Sequence, residues 1–276
     1  MALVLQAASR EALDTAVARL DAYVDSASAQ DLARVGDELF AFARLLVEQK
    51  PLRRHLGDPS VSESARIGLA RQILGGKLSQ PALDLVEVLV GSRWSRSLDL
   101  IDGAEALARR ATLAVAEKDA TLDDVEDELF RFSRILAREP ELNGLLTDTS
   151  KPEPGRIALL DRLLGNRVSP VTAALLRQSV RLPRGRHLDL VAEELADLAA
   201  ALRNRSVARV STAAVLTPVQ EQKLTDSLTR LYGRPMSLQV ELDESLLGGL
   251  VVAVGNEVID GSVAGKIAAA RRRLPS

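Results

Sequence analysis

Cysteine is absent from this chain, which excludes disulfides, thiol nucleophiles and thiolate metal ligands. Histidine is scarce. His55 and His187 are the only two, and neither has a second His or a suitably spaced carboxylate to complete a metal set, so both read as surface residues. Aromatic residues make up 3% of the chain, with a single Trp, so Leu, Ala and Val must fill any core. No run approaches the ~18 apolar residues of a membrane span, and Met1 to Arg10 lacks the basic start and apolar length of a signal peptide. Neither sign of charge dominates: the net charge is −2 with acids and bases interspersed, which gives no field for nucleic acid. These absences are compatible with the cytoplasm.

What is present is a helical pattern. Leu13, Ala16, Val17, Leu20 and Val24 recur on one face at helical spacing, as do Leu39, Phe42, Ala43 and Leu46, and again Leu129, Phe132 and Leu136. Leu98 to Lys118 reads as one long helix with Gly103 inside it that ends the first bundle and begins the second, and Leu188 to Arg205 closes the second bundle in the same way. With 276 residues, 46% of them apolar, the chain has room for more than one core.

Laid on itself with a shift of ninety residues, the chain repeats without a gap. Residues 35 to 101 against 125 to 191 give 25 identities in 67 pairs, where composition alone gives about five or six. A period of this length marks a duplicated small domain rather than a solenoid. The repeated positions look like helix punctuation. Ser60 with Glu63 and Ser150 with Glu153 predict capping boxes, Gly75 and Gly165 predict left-handed helix ends, and Ser79 and Ser169 predict N-caps, with Pro170 at N1. Asp37-Glu38 and Asp127-Glu128 are adjacent on a helix and point about 100° apart, so neither pair can flank a bond as acid and base. They read as solvated ion-pair partners, Asp127 and Glu128 facing Arg131.

After Asn204 the composition changes. Val207, Val210 and Val215 favour a strand, a helix follows over 218–232, and another strand over 236–242. Val251 to Val254 predicts a strand, Gly255-Asn256 a two-residue turn and Glu257 to Ile259 the return strand. Asp260, Gly261 and Ser262 then stop the strand and predict a helix cap, with Arg271 to Arg273 at the helix's far end. The expected architecture is mainly α: two tandem helical bundles, 1–110 and 111–206, followed by a small α/β domain, 207–276.

Val210, Ser211, Leu216, Asp243, Leu246, Gly248, Gly249, Val252, Gly255, Val258, Ile259, Asp260, Gly261, Ser262 and Val263, at this spacing, resemble the carboxy-terminal half of the delta subunit of bacterial F-type ATP synthase, the family of the oligomycin-sensitivity conferral protein. The usual Tyr-Ala pair of the first helix is replaced by Ser9-Arg10-Glu11-Ala12-Leu13, and the chain is longer than most members. The resemblance implies a non-catalytic peripheral-stalk subunit without cofactor or metal, in which Asp243, Gly248, Gly249, Gly255, Asp260, Gly261 and Ser262 are structural or partner-binding. It implies that the amino-terminal bundle grips an amino-terminal helix of an alpha subunit on the catalytic head, that the carboxy-terminal unit holds a b-type stalk, and that membrane association, on the cytoplasmic side of the cell membrane, comes only through the complex.

Rival chemistries fare worse. Gly261-Ser-Val-Ala-Gly-Lys266 is one residue short of a phosphate-binding loop and has Ile267 in place of Ser or Thr. Gly248-Gly249 precedes a strand, so it predicts a bend or close backbone approach, not a dinucleotide fingerprint. An RNA-binding helical-bundle adaptor of the antitermination type requires a basic stripe that the balanced repeats lack. Trp94, flanked by arginines and replaced by Arg184 in the second copy, reads either as a core anchor or as an exposed contact.

Overall fold

A computed structural model describes residues 5–205, 207–232, 236–243, 246, 248–254 and 257–262. The chain forms two compact units, Met1–Ala199 and Ala200–Ser276, the division falling inside a helix seven residues before the expected boundary at 206.

The first unit is built from α1 (Ala7–Ser26), α2 (Ala29–Glu48), α3 (Lys50–Leu56), α4 (Glu63–Leu74), α5 (Gln80–Gly91), α6 (Asp99–Lys118), α7 (Leu122–Arg138), α8 (Pro140–Thr147), α9 (Glu153–Leu164), α10 (Pro170–Arg181) and α11 (Leu188–Arg205). The ninety-residue shift carries α3 to α6 onto α8 to α11 almost residue for residue. One ion pair records the relation in three dimensions. Arg71 on α4 meets Glu87 on α5 at 2.5 Å, and at the equivalent places Asp161 meets Arg177 at 2.7 Å with the charges exchanged.

The division of the helical part at 110/111 is not what the structure shows, because that point lies in the middle of α6. Shifted by ninety, α1 also falls on α6, so this helix closes the first repeat and opens the second. Its sequence permits both roles. Leu100, Ile101, Ala104, Leu107, Ala108, Ala111, Leu113, Ala114 and Ala116 are all buried, leaving almost no solvated face, as a helix covered on all sides requires. Two repeats that share a helix cannot separate into two bundles.

The helix starts also differ from expectation. α4 is capped by Ser62, whose hydroxyl accepts from Ala65 N at 3.3 Å, and α9 by Pro152 with no side-chain cap. Ser60 and Ser150 are already engaged: Asp58 Oδ1 accepts from Ser60 N and Oγ, and Asp148 Oδ1 from Ser150 N and Oγ. Aspartate reaches an amide two residues on more readily than a serine reaches the next helix, so a tight turn replaces the capping box. At the end of α4 the positive φ falls on Gly76 instead of Gly75, whereas Gly165 has the expected positive φ.

The second unit contains β1 (Val207–Thr212), α12 (Pro218–Tyr232), β2 (Ser237–Leu242), β3 (Leu250–Val254) and β4 (Glu257–Asp260). The sheet order is β2-β1-β3-β4, with β1 parallel to β2 and the other pairs antiparallel. α12 opens with a reciprocal cap, Thr217 and Gln220 each bonding the other's backbone amide. Ala208, Val210, Val252 and Val254, alternate residues of their strands, form the core with Leu228 and Met236.

Candidate partner-binding surfaces

In the second unit the motif residues meet through backbone. Gly248 and Gly249 have φ of 139° and 84°, which only glycine adopts without strain. Gly249 also sits against the strand end opposite: a Cβ there would lie 2.6 Å from Gly261 O and 2.9 Å from Ser262 Cα. Gly261 N donates to Leu250 O at 3.0 Å, and Asp243 N donates to Thr212 O at 2.9 Å. Asp260 Oδ1 accepts from Ser262 N at 2.9 Å, and bonds from the Ser262 side chain and amide hold the Asp260 carboxyl below its ordinary range. The close approach expected of Gly248-Gly249 is thus present. Gly255, with Asn256, and the helix expected after Ser262 lie outside the described residues. Val258 and Leu242 remain 64% and 59% exposed.

In the first unit, a groove runs beside α1 and α5. It holds a cavity of about 650 Å³ lined by residues including Thr15, Arg19, Glu63, Asp84 and Val88, and one of about 290 Å³ lined by residues including Ala22, Tyr23 and Pro81, with Arg19 and Asp84 bordering both. Arg19 faces Asp84 at 3.8 Å. Trp94 lies in the core. It is 3% exposed, its Nε1 donates to Leu89 O at 2.7 Å, and its ring covers Gly103 so closely that a Cβ there would meet Cζ3 at 3.0 Å and Cη2 closer still.

Arg184, at the place of Trp94 in the second repeat, joins an ionic cluster instead. Its Nη1 donates to Asp102 at 2.6 Å and Glu105 at 3.0 Å, Arg109 donates to Glu105 at 2.5 Å, and Arg186 also pairs with Glu105. Burial pushes the Glu105 carboxyl up, but Arg109, Arg186 and Arg184 outweigh it and hold it below its ordinary value. The carboxylate pairs read as solvated are only partly so. Asp127 does pair with Arg131 on the surface, yet Glu38 accepts from Ser79 N, and Glu128 from Ser169 N. They fasten the starts of α5 and α10. Buried Arg66 and Arg156, which no sequence motif singles out, donate to Val90 O and Val180 O at the ends of the same helices. Their identity across the repeat was the available signal. His55 and His187 are exposed, and no metal-holding group of three acids or histidines exists among the described residues.

The sequence profile described as "ATP synthase delta (OSCP) subunit" matches residues 21–110 and again 106–274, one profile fitting twice where the helical repeat lies. The chain belongs to the ATP synthase delta (OSCP) subunit family. It is 46% identical over 269 residues to ATP synthase subunit delta of Streptomyces avermitilis, covering 98% of each chain. It is 42% identical over 274 residues to that of Acidothermus cellulolyticus, covering 99% of this chain and all of the other. Against ATP synthase subunit b-delta of Mycobacterium sp. strain KMS it is 45% identical over 271 residues, and there it spans 61% of the relative's length. The unusual length of this delta-family chain is therefore shared by these relatives.

Proposed function

We infer that the chain is a non-catalytic peripheral-stalk subunit of an F-type ATP synthase, joining the catalytic head to the b-type stalk and resisting rotor torque so that rotation drives ATP synthesis. The observation that carries this is end-to-end identity above 40% with delta subunits. In this reading the helical unit binds the head through the amino-terminal helix of an alpha subunit, helix-in-groove docking being the mode such bundles offer. The sheet unit, with the Gly249–Gly261 contact and the exposed Val258, holds the b-type stalk. The joining of b and delta in one mycobacterial chain supports b as that neighbour. The protein sits on the cytoplasmic side of the cell membrane, held there by the complex; none of the described helices is long and apolar enough to cross a membrane.

The test is capture of the full-length chain on purified catalytic head and, separately, on the stalk. Binding to both supports the reading. A chain that binds neither overturns it.

A further inference from the structure

Shifted by ninety residues, Asp37, Phe40 and Arg44 of α2 become Asp127, Phe130 and Arg134 of α7. In the first copy the two charges clasp α10. Asp37 accepts from Gln178 Nε2 at 3.1 Å, Arg44 donates to Gln178 Oε1 at 2.7 Å, and Phe40, which lies between them in the helix, is 5% exposed. Phe130 is 50% exposed. An exposed aromatic alone marks nothing, but the charges around this one are ordered.

At about 100° per residue, Asp123, Asp127, Phe130, Arg131, Arg134 and Arg138 fall within an arc of about 100° on α7, and all six are exposed. Acids occupy the first half of this face and arginines the second. Attraction to the helix dipole accounts for Asp123 and Arg138 in the terminal turns, and an i,i+4 pair at 2.5 Å accounts for Asp127 with Arg131. Neither accounts for Arg134 or Phe130. On α2, which meets α10, the charge order is missing: Ala33, Ala41 and Glu48 stand in place of Asp123, Arg131 and Arg138.

A face ordered in this way is complementary to itself turned end for end. We propose that α7 is an interface between two copies of this chain, formed by an antiparallel α7 pair centred between residues 130 and 131. That register sets Asp127 against Arg134, Asp123 against Arg138 and Phe130 against Arg131, each contact occurring twice by symmetry. The charge pairs are all of opposite sign, and a guanidinium over a phenylalanine ring is a favourable contact. The same patch serves both chains, so assembly closes at the dimer. One helix face buries less than the ~1,200 Å² total of a stable complex, so the dimer is weak and forms at high concentration. α7 lines neither cavity beside α1 and α5, and the interface is a different surface from that groove.

The experiment is sedimentation equilibrium of the full chain over a concentration series reaching about 0.5 mM, for the unaltered protein, Asp127→Arg and Arg134→Glu. The expected result is a monomer–dimer equilibrium whose Kd rises at least tenfold in either variant, because symmetry turns each substitution into two like-charge contacts. The two variants mixed in equal amounts should recover the dimer, since each restores the charge that the other reverses. Both substitutions place a good helix former at an exposed position, so an unchanged unfolding midpoint separates lost pairing from lost fold. A chain that stays monomeric throughout would overturn the proposal, as would a dimer that both variants leave unchanged, a mixture that does not recover, or assembly beyond two chains.

Discussion

Trp94 and Gly103 define a perturbation whose sign reverses with background. Gly103 lies inside α6, where Gly→Ala gains about 0.5–1 kcal/mol from helix propensity alone. With the indole in place the new methyl has nowhere to go: Trp94 Cζ3 stands at 3.0 Å from it, and both residues are buried. Forcing atoms into a packed core costs about 1–3 kcal/mol, so Gly103→Ala destabilises the first unit by about 1–2 kcal/mol net of propensity. Trp94→Ala removes the ring and costs about 3–5 kcal/mol. In that background Gly103→Ala becomes stabilising by about 0.5–1 kcal/mol, so the cycle closes with a coupling of about 1–3 kcal/mol, within the range of contacting residues. The assay is urea unfolding followed by circular dichroism for all four proteins, with fluorescence of the single Trp reporting on this unit wherever Trp94 remains. A Gly103→Ala penalty that is the same with and without the indole would refute the reasoning.

Glu105→Gln leaves Arg109, Arg184 and Arg186 short of an acceptor and destabilises the helical unit, toward the lower end of about 3–5 kcal/mol because Asp102 and Glu194 remain. Because the folded state lowers the Glu105 pKa, the unfolded chain binds the proton more readily. The contribution is therefore complete above the ordinary value of 4.5 and is lost as pH falls through and below it. The gap between the unfolding midpoints of the unaltered and Gln proteins should narrow as pH falls below 4.5, and a constant gap would contradict the assignment. Gly249→Val places a β-branched side chain at φ of 84° with Gly261 O in its way, a strain of about 1–2 kcal/mol before any clash. Capture on the stalk should weaken while capture on the head does not change, and equal loss of both would place the motif elsewhere in the function. Calorimetric titration with Mg-ATP should give no micromolar binding, and a signal abolished by Lys266→Ala would reinstate the Gly261–Lys266 loop as a phosphate site.

Element identities were legible because period and punctuation agreed: α11 and α12 begin and end where Leu188, Arg205, Pro218 and Tyr232 predict, and the strands of the second unit follow their valines except Val215, which lies past the end of β1 at Thr212 in an exposed loop. Finer features depended on competition that a linear pattern does not express. Ser60 has the spacing of a cap, yet Asp58 claims it first. Glu38 looks solvated on a helix wheel, but Ser79, forty-one residues on, supplies its donor. The shared role of α6 was legible, because one long helix over Leu98 to Lys118 sits where the first copy ends and the second begins, and its small apolar residues on every face permit both roles. The choice between core and surface for Trp94 needed Gly103, because only a residue without a side chain leaves room for an indole. The bend at Gly248-Gly249 was visible as turn chemistry, while what docks beside it depends on a surface in three dimensions.

The central claim is that this chain physically connects head to stalk. The direct measurement is bridging: purified catalytic head applied to immobilised b-type stalk, with and without the full-length chain. The account predicts that the head is retained only when the chain is present and that Gly249→Val releases chain and head together. Retention of the head on the stalk at equal levels without the chain, or head binding lost through Gly249→Val while stalk binding persists, would contradict it.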